Sequence, residues 1–174
     1  MPFELQPTLT GALLELRPLR CEDFGDLYAV ASDPAIWEQH PVSDRYKEDV
    51  FSDFFREAME SGGAFAVFDR ATERMIGSSR YYGYDEQRSE IEIGWTFLAR
   101  AYWGGVYNRE MKQLMLRHAF RFVDAVIFLV GPQNWRSQRA MEKIGGVRID
   151  EIRERAGHDH IIFQITKANA YLSD

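Results

Sequence analysis

The stretch Glu90–Val130, EIEIGWTFLARAYWGGVYNREMKQLMLRHAFRFVDAVIFLV, decides the fold. A strand-like run ends at Leu98, a loop carries Trp103, Gly104 and Gly105, and the period then changes. From Asn108 onward, Met111, Leu114, Met115, His118, Ala119 and Phe122 recur on one helical face. AVIFLV (Ala125–Val130) is a short, continuous apolar run, the pattern of a strand buried on both faces. Strand, helix and strand in this order predict a right-handed crossover between parallel neighbours.

Upstream, Ala12–Arg20 alternates and reads as a first strand. Phe24, Leu27, Tyr28 and Ala31 then fall at helical spacing, stopped by Asp33-Pro34. A second helix is expected from about Asp44 to Glu60, with Ser43 as its N-cap and Gly62-Gly63 ending it. Ala64–Asp69, Met75–Tyr84 and Glu90–Leu98 are strand-like and separated by short polar turns, so they read as an antiparallel meander. Downstream, a helix from Ser137 to Ile144 precedes a closing hairpin of Val147–Arg155 and His158–Thr166, with room for a short C-terminal helix. The order β-α-α-β-β-β-α-β-α-β-β argues for a mixed α/β (α+β) sheet in a single domain spanning 1–174.

Bulk properties exclude several classes. A chain of 174 residues buries roughly 70% of its unfolded surface, enough for an unstapled core. The net charge is −6, with both signs interspersed, so no nucleic-acid partner is expected. An acidic protein attracts cations weakly, a faint hint of an amine ligand. The lone cysteine, Cys21, forms no internal disulfide and is expected to be a small buried side chain in a reducing, cytoplasmic setting. The first twenty residues lack the pattern of a signal peptide, and no eighteen apolar residues run together, so no membrane association is expected.

The glycine loop invites a ligand. The first N–H groups of a helix have no intrahelical acceptor, and glycine lets an anion approach them. Arg100 and Arg109 flank the loop and add charge. Strand-to-helix turns containing Gly-Gly often bind nothing, so a second feature is needed. It lies after Val130, in GPQNWRSQRAMEKIGG, where Asn134 and Ser137 stand three apart at a strand end and a helix start. Their ordinary roles are turn residue and N-cap. The crossover, however, points both helix N-termini at one crevice beyond the parallel strand ends, where α/β proteins bind ligands.

With these segments in view the chain resembles the GNAT superfamily of acyl-CoA-dependent N-acyltransferases, nearest the branch that includes ribosomal-protein N-terminal alanine acetyltransferases. LELRPLRCEDFGDLYAVASDP, RMIGSSRYY, SEIEIGWTF and N-x-x-S followed by AMEKIGG carry the resemblance, over nearly the whole chain. It implies a mostly antiparallel, seven-stranded sheet with helices on both faces and a central, splayed parallel pair. It also implies that acetyl-CoA is the cosubstrate. The pantetheine arm would pair with the splayed strands near Phe97 and Leu98. The pyrophosphate would lie on the loop from Arg100 through Trp103, Gly104, Gly105, Val106, Tyr107, Asn108 and Arg109. One departure stands out. The family loop reads Gln/Arg-x-x-Gly-x-Gly/Ala, and here Val106 and Asn108 replace its small residues, while Gly104 and Gly105 occupy variable places. Val106 is β-branched and avoids φ > 0, so the loop is expected to be shaped differently.

Acyl transfer to an amine needs the amine deprotonated, an oxyanion donor and a proton for the leaving thiolate. Glu90 and Glu92 lie two apart on one strand face and are the candidate bases, Glu92 being the more central. Solvated or salt-bridged strand carboxylates are the competing explanation. The resemblance makes Ser137 the proton donor to sulfur, assisted by Asn134. His40, in a loop, is assigned with Arg80 to the acceptor side. His118 reads as a core group, and no His/Cys/Asp/Glu cluster has metal-ligand spacing, so no metal is expected.

The leading expectation is an acetyl-CoA-dependent N-acetyltransferase acting on a small-molecule or peptide amine by direct transfer. A non-catalytic acyl-CoA-binding or interaction module on the same fold remains open. A dinucleotide oxidoreductase fits poorly, because G-x-G-x-x-G is absent. The acceptor stays unassigned, as does oligomeric state, a homodimer included.

Overall fold

The alternation read from the sequence becomes one eight-stranded sheet in the computed structural model, which describes residues 1–170 and 172. The strands are β1 (Leu9–Thr10), β2 (Leu14–Pro18), β3 (Ala64–Asp69), β4 (Met75–Asp85), β5 (Glu90–Leu98), β6 (Ala125–Val130), β7 (Val147–Arg155) and β8 (His158–Thr166). Their spatial order is β1-β2-β3-β4-β5-β6-β8-β7. β1 is the strand that the sequence does not announce, a two-residue edge pairing Leu9 with Leu16. Every neighbouring pair is antiparallel except β5 and β6.

The helices are α1 (Phe24–Ala31), α2 (Glu48–Ser61), α3 (Val106–Ala119) and α4 (Trp135–Lys143). Apolar stripes seat them on both faces of the sheet. Met111, Met115, Leu116 and Ala119 of α3, with Met141 of α4, pack in one core with Leu14, Leu16, Ile91, Ile93 and Phe128. Leu27 and Ala31 of α1 and Phe51, Phe54 and Phe55 of α2 pack on the opposite face with Ala64, Ala66 and Phe97. His118 is buried in the first core, its Nε2 2.7 Å from the Glu4 carbonyl, a core group as expected.

Three expectations are corrected. α2 starts at Glu48, with Lys47 at its N-cap and no side-chain cap, so Ser43 does not cap it. A turn closes the segment before it, Lys47 N–H donating to the Asp44 carbonyl. Cys21 is exposed, on a short 3-10 turn that projects from the end of β2. The chain after β8 forms a turn, with Thr166 N–H bonded to Asn169 Oδ1. The C-terminal helix is absent among the described residues, and its remaining positions 171, 173 and 174 lie outside them.

The parallel pair sets up the site. β5 and β6 pair over only Glu90↔Ala125, Ile91↔Val126 and Glu92↔Ile127. On its other side β5 stays paired to β4, but Arg80↔Gly94 is followed by Ser78↔Phe97. One residue, Ser79, therefore opposes two, Trp95 and Thr96, which is a β-bulge. Trp95 takes φ +51°, a conformation that costs a non-glycine residue about 1 to 3 kcal/mol. Beyond Glu92 the two strands part, and β5 offers unpaired backbone groups to the gap. The bulge also sends Thr96 toward α3 and Trp95 toward the α1/α2 face, as their contacts with Lys112 and Arg80 show.

Candidate active site

The gap between β5 and β6 opens into a cleft of ≈ 890 Å³ between the N-termini of α3 and α4. That is the size of a site for a cofactor-sized molecule. At the head of α3, Gly104 and Gly105 take φ +105° and +125°, and Val106 begins the helix. The positive-φ turn before the helix is thus made by the two glycines in the variable places of the motif. Val106 needs no positive φ. Trp103 donates its indole N–H to the Leu98 carbonyl (2.9 Å), and Arg136 of α4 lies 3.9 Å above its ring. The tryptophan pins the loop to the end of β5 and tethers it to α4.

The charge of this cleft departs from that of the chain. Arg109, Lys112, Arg136, Arg139 and Lys143 line it, and no Asp or Glu does among the described residues. A protein of net charge −6 has gathered four cations, Arg109, Arg136, Arg139 and Lys143, with the buried amine of Lys112, around two helix N-termini. Such an arrangement holds a polyanion. Of the residues expected at the cofactor, Phe97, Leu98, Trp103, Gly104, Gly105, Val106, Asn108 and Arg109 line the cleft. Two expectations are corrected. Arg100 does not line the cleft, because Asp33 holds its guanidinium in an ion pair. Tyr107 turns away and packs edge-on against Tyr102, ring centroids 4.8 Å apart. The cations of α4 were missed because nothing local marks Arg136, Arg139 and Lys143 as anything but a solvated face.

Deeper in, an inner pocket of ≈ 90 Å³ lies where the strands part, with Asn134, Ser137, His40, Arg45, Trp95, Thr96, Lys112 and His160 on its walls. Asn134 caps α4, its Oδ1 accepting from Ser137 N–H (3.3 Å). The Ser137 hydroxyl makes no hydrogen bond among the described residues, and it faces both cavities. His40 also lines both. Its Nδ1 accepts from Val42 N–H (3.0 Å), and Arg45 Nη1 stands 3.4 Å from Nε2. Burial, then Arg45 and His160, push the His40 pKa down to about 3, so its ring is neutral.

Lys112 is a further residue that sequence reasoning missed. It is 2% exposed, and Nζ donates to Thr96 Oγ1 (2.7 Å). Thr96 Oγ1 lies 2.8 Å from Ser79 Oγ, and the ammonium stands 5.5 Å from the Phe128 ring centre. Burial pushes the Lys112 pKa from 10.5 down to about 7. A signal was present: Lys112 follows Met111 and precedes Met115 by a helical step, so it interrupts an apolar stripe.

Glu90 and Glu92 share a face, as expected, but neither lines the cleft or the inner pocket. Both Glu92 oxygens accept from Arg155 of β7, at 2.7 Å each, and Glu90 lies 3.9 Å from Arg153. The salt-bridged alternative describes both residues as the structure places them.

A family model described as "Acetyltransferase (GNAT) domain" matches residues 14–147. The chain belongs to the GNAT acetyltransferase family. As a member of that family it is an N-acetyltransferase. No curated protein sequence matches it. Solved GNAT structures share the fold. A GCN5-related N-acetyltransferase from Brucella melitensis superposes with a TM-score of 0.82 at 20% identity, over 97% of this chain and 82% of that one. An acetyltransferase from Agrobacterium tumefaciens gives 0.74 at 22%, over 96% and 98%. Mycobacterium smegmatis RimJ, in complex with CoA-disulfide, gives 0.69 at 17%, over 94% and 87%. The eight-stranded sheet with its single parallel pair shares the GNAT fold and has one strand more than the seven expected, the short edge strand β1. Among the described residues no helix is long and apolar enough to cross a membrane.

Proposed function

We propose that this GNAT protein moves an acetyl group from acetyl-CoA to a primary amine in a single ternary complex. The observation that carries the reading is a cleft with four cations and, among the described residues, no carboxylate, between two helix N-termini, in a chain of net charge −6. CoA brings a pyrophosphate and a further phosphate, and RimJ, a neighbour in fold, is bound to CoA-disulfide. In this reading Gly104–Asn108 receive the pyrophosphate on backbone N–H groups. Arg109, Arg136, Arg139 and Lys143 supply the remaining charge. The unpaired edge of β5 beyond Glu92 receives the pantetheine arm as a short added strand.

The inner pocket then holds the thioester. The acceptor enters as free amine, its ammonium proton having gone to solvent; its nitrogen forms a bond to the thioester carbon, and the carbon–sulfur bond breaks. Ser137 gives its proton to the departing sulfur and recovers one from solvent. As the new C–N bond forms, the nitrogen becomes more acidic, and a base of pKa about 7 suffices to take its proton. We assign that role to Lys112, which lines the pocket, in place of Glu92, whose two oxygens are occupied by Arg155. Glu90 and Glu92 are then positioning groups that hold β7 over β5. A cytoplasmic location fits the exposed thiol of Cys21.

Thiol release from acetyl-CoA across a panel of amines tests the reading. Steady release that depends on one amine class is the expected result. Release no faster than hydrolysis with every amine would overturn it.

A further inference from the structure

Arg80 of β4 is 3% exposed, and its Nε and Nη2 are buried without a hydrogen-bond partner. Its guanidinium lies 4.2 Å from the Trp95 ring centre and 5.6 Å from that of Phe54. Aromatic faces attract a cation, but they offer no acceptor for its N–H groups. Arg45 covers the other end of the same cluster, 4.8 Å from Phe54 and 5.2 Å from Trp37, and it forms no ion pair among the described residues. Arg155 also stacks on Trp95, at 4.4 Å, but Glu92 satisfies it. Three guanidiniums thus converge where the structure supplies one carboxylate in contact. Glu57 acts on Arg80 and Arg45 only from a distance, on the exposed side of α2.

Burying an unpaired charge is costly, so a guanidinium left without an acceptor marks a place where an anion from outside would be stabilising. Arg45 and Trp95 line the inner pocket together with Ser137 and Asn134, and Arg80 lies behind Trp95, lining neither cavity until the acceptor draws it forward. The place where an anion is missing therefore adjoins the place where the acceptor nitrogen must stand.

Resting on the transferase reading above, we infer that the acceptor carries a carboxylate as well as its amine, and that Arg80 and Arg45 receive it. A planar fork of N–H donors matches a carboxylate in two bonds, and the aromatic walls exclude the water that would compete. A free amino acid carries its carboxylate beside its amine, whereas the terminus of a polypeptide carries its own far from it, so the acceptor is a free amino acid.

The test uses the full chain, acetyl-CoA and three matched series: the proteinogenic amino acids, their carboxamides, and their decarboxylated amines, with a ribosomal-protein N-terminal peptide alongside. The expected result is kcat/KM at least tenfold higher for the best amino acid than for its carboxamide. Arg80→Met should collapse that preference toward one by raising KM for the acid. The same amino acid should raise the melting temperature of the wild type and leave that of Arg80→Met unmoved. Because the empty variant has lost an unpaired buried charge, it should melt above the empty wild type. If Arg80→Met does not fold, the acid-to-amide ratio of the wild type decides alone. Equal use of acid, amide and amine, or better use of the peptide, overturns the inference while leaving the transferase reading standing. If no amine is acetylated, the transferase reading falls, and the thermal shift still decides whether Arg80 binds a carboxylate.

Discussion

Lys112 Nζ donates to Thr96 Oγ1 across 2.7 Å, which ties α3 to the bulge that parts β5 from β6. The contact places an amine of pKa about 7 at the mouth of the inner pocket. If Lys112 takes the acceptor's proton, kcat rises with pH through a midpoint near 7. Lys112→Met should lower kcat by about a hundredfold or more and abolish that limb. Stability gives a second readout. Burial depresses the folded pKa, so between pH 7 and 10.5 the unfolded chain holds a proton that the folded chain lacks. Stability accordingly increases across that window and is lowest below pH 7. Lys112→Met removes a penalty on the order of 4 to 5 kcal/mol at its upper limit, and its melting temperature should lose the upward slope between pH 7 and 10. A pH–rate profile identical to the wild type would assign Lys112 to structure.

Glu92→Gln separates the two candidate bases. With Arg155 left beside an amide, one charge of a half-buried pair loses its partner. Arg155 keeps 31% of its side chain in solvent, so the loss of stability should be about 1 to 3 kcal/mol, below that of a fully buried pair. The midpoint of the pH–rate limb should stay near 7. Glu90→Gln, whose contact with Arg153 is 3.9 Å, should change both quantities less. Disappearance of the limb in Glu92→Gln, with Lys112 intact, would return the base to the carboxylate.

Gly105→Ala tests the loop through its backbone alone. A Cβ there meets no atom within 4 Å, yet φ +125° is closed to alanine. The head of α3 must therefore change shape. CoA affinity, measured by calorimetry, should fall about tenfold or more while the melting temperature moves by a few degrees. Unchanged CoA binding in the folded variant would remove the pyrophosphate from this loop.

Much of the architecture was legible because periodicity survives burial. The runs at Ala64–Asp69, Glu90–Leu98, Ala125–Val130 and the closing hairpin became strands with those bounds. β1 escaped because two residues at an edge carry no period, and α2 began late because Ser43 and Asp44 look like a helix start whatever follows. The glycine loop, Asn134 and Ser137 announced the cleft because helix starts have local chemistry. Of the proposed acceptor side only His40 and Arg80 were singled out, since Arg45, Arg80, Trp95 and Arg155 come from four separate segments. Only the bulge at Trp95 and the reach of β7 across the sheet bring them together, and neither leaves a mark on neighbouring residues.

The helix start after β6 allows capping and chemistry to be measured apart. Asn134 is the cap, and Ser137, three residues on, contributes its N–H to that cap while its hydroxyl makes no hydrogen bond. Asn134→Ala should therefore destabilise the protein by about 1 kcal/mol. Ser137→Ala should leave stability within about 0.5 kcal/mol, as for a substitution that breaks no named interaction. If the hydroxyl protonates the departing sulfur, Ser137→Ala should lower kcat at least tenfold with CoA affinity unchanged, the mark of an interaction made in the transition state. The deficit should narrow with an acyl donor whose thiol is more acidic, because such a thiolate leaves without a proton. Wild-type turnover in Ser137→Ala, or an equal deficit with both donors, would leave Ser137 no part in thiolate departure and pass that proton to solvent.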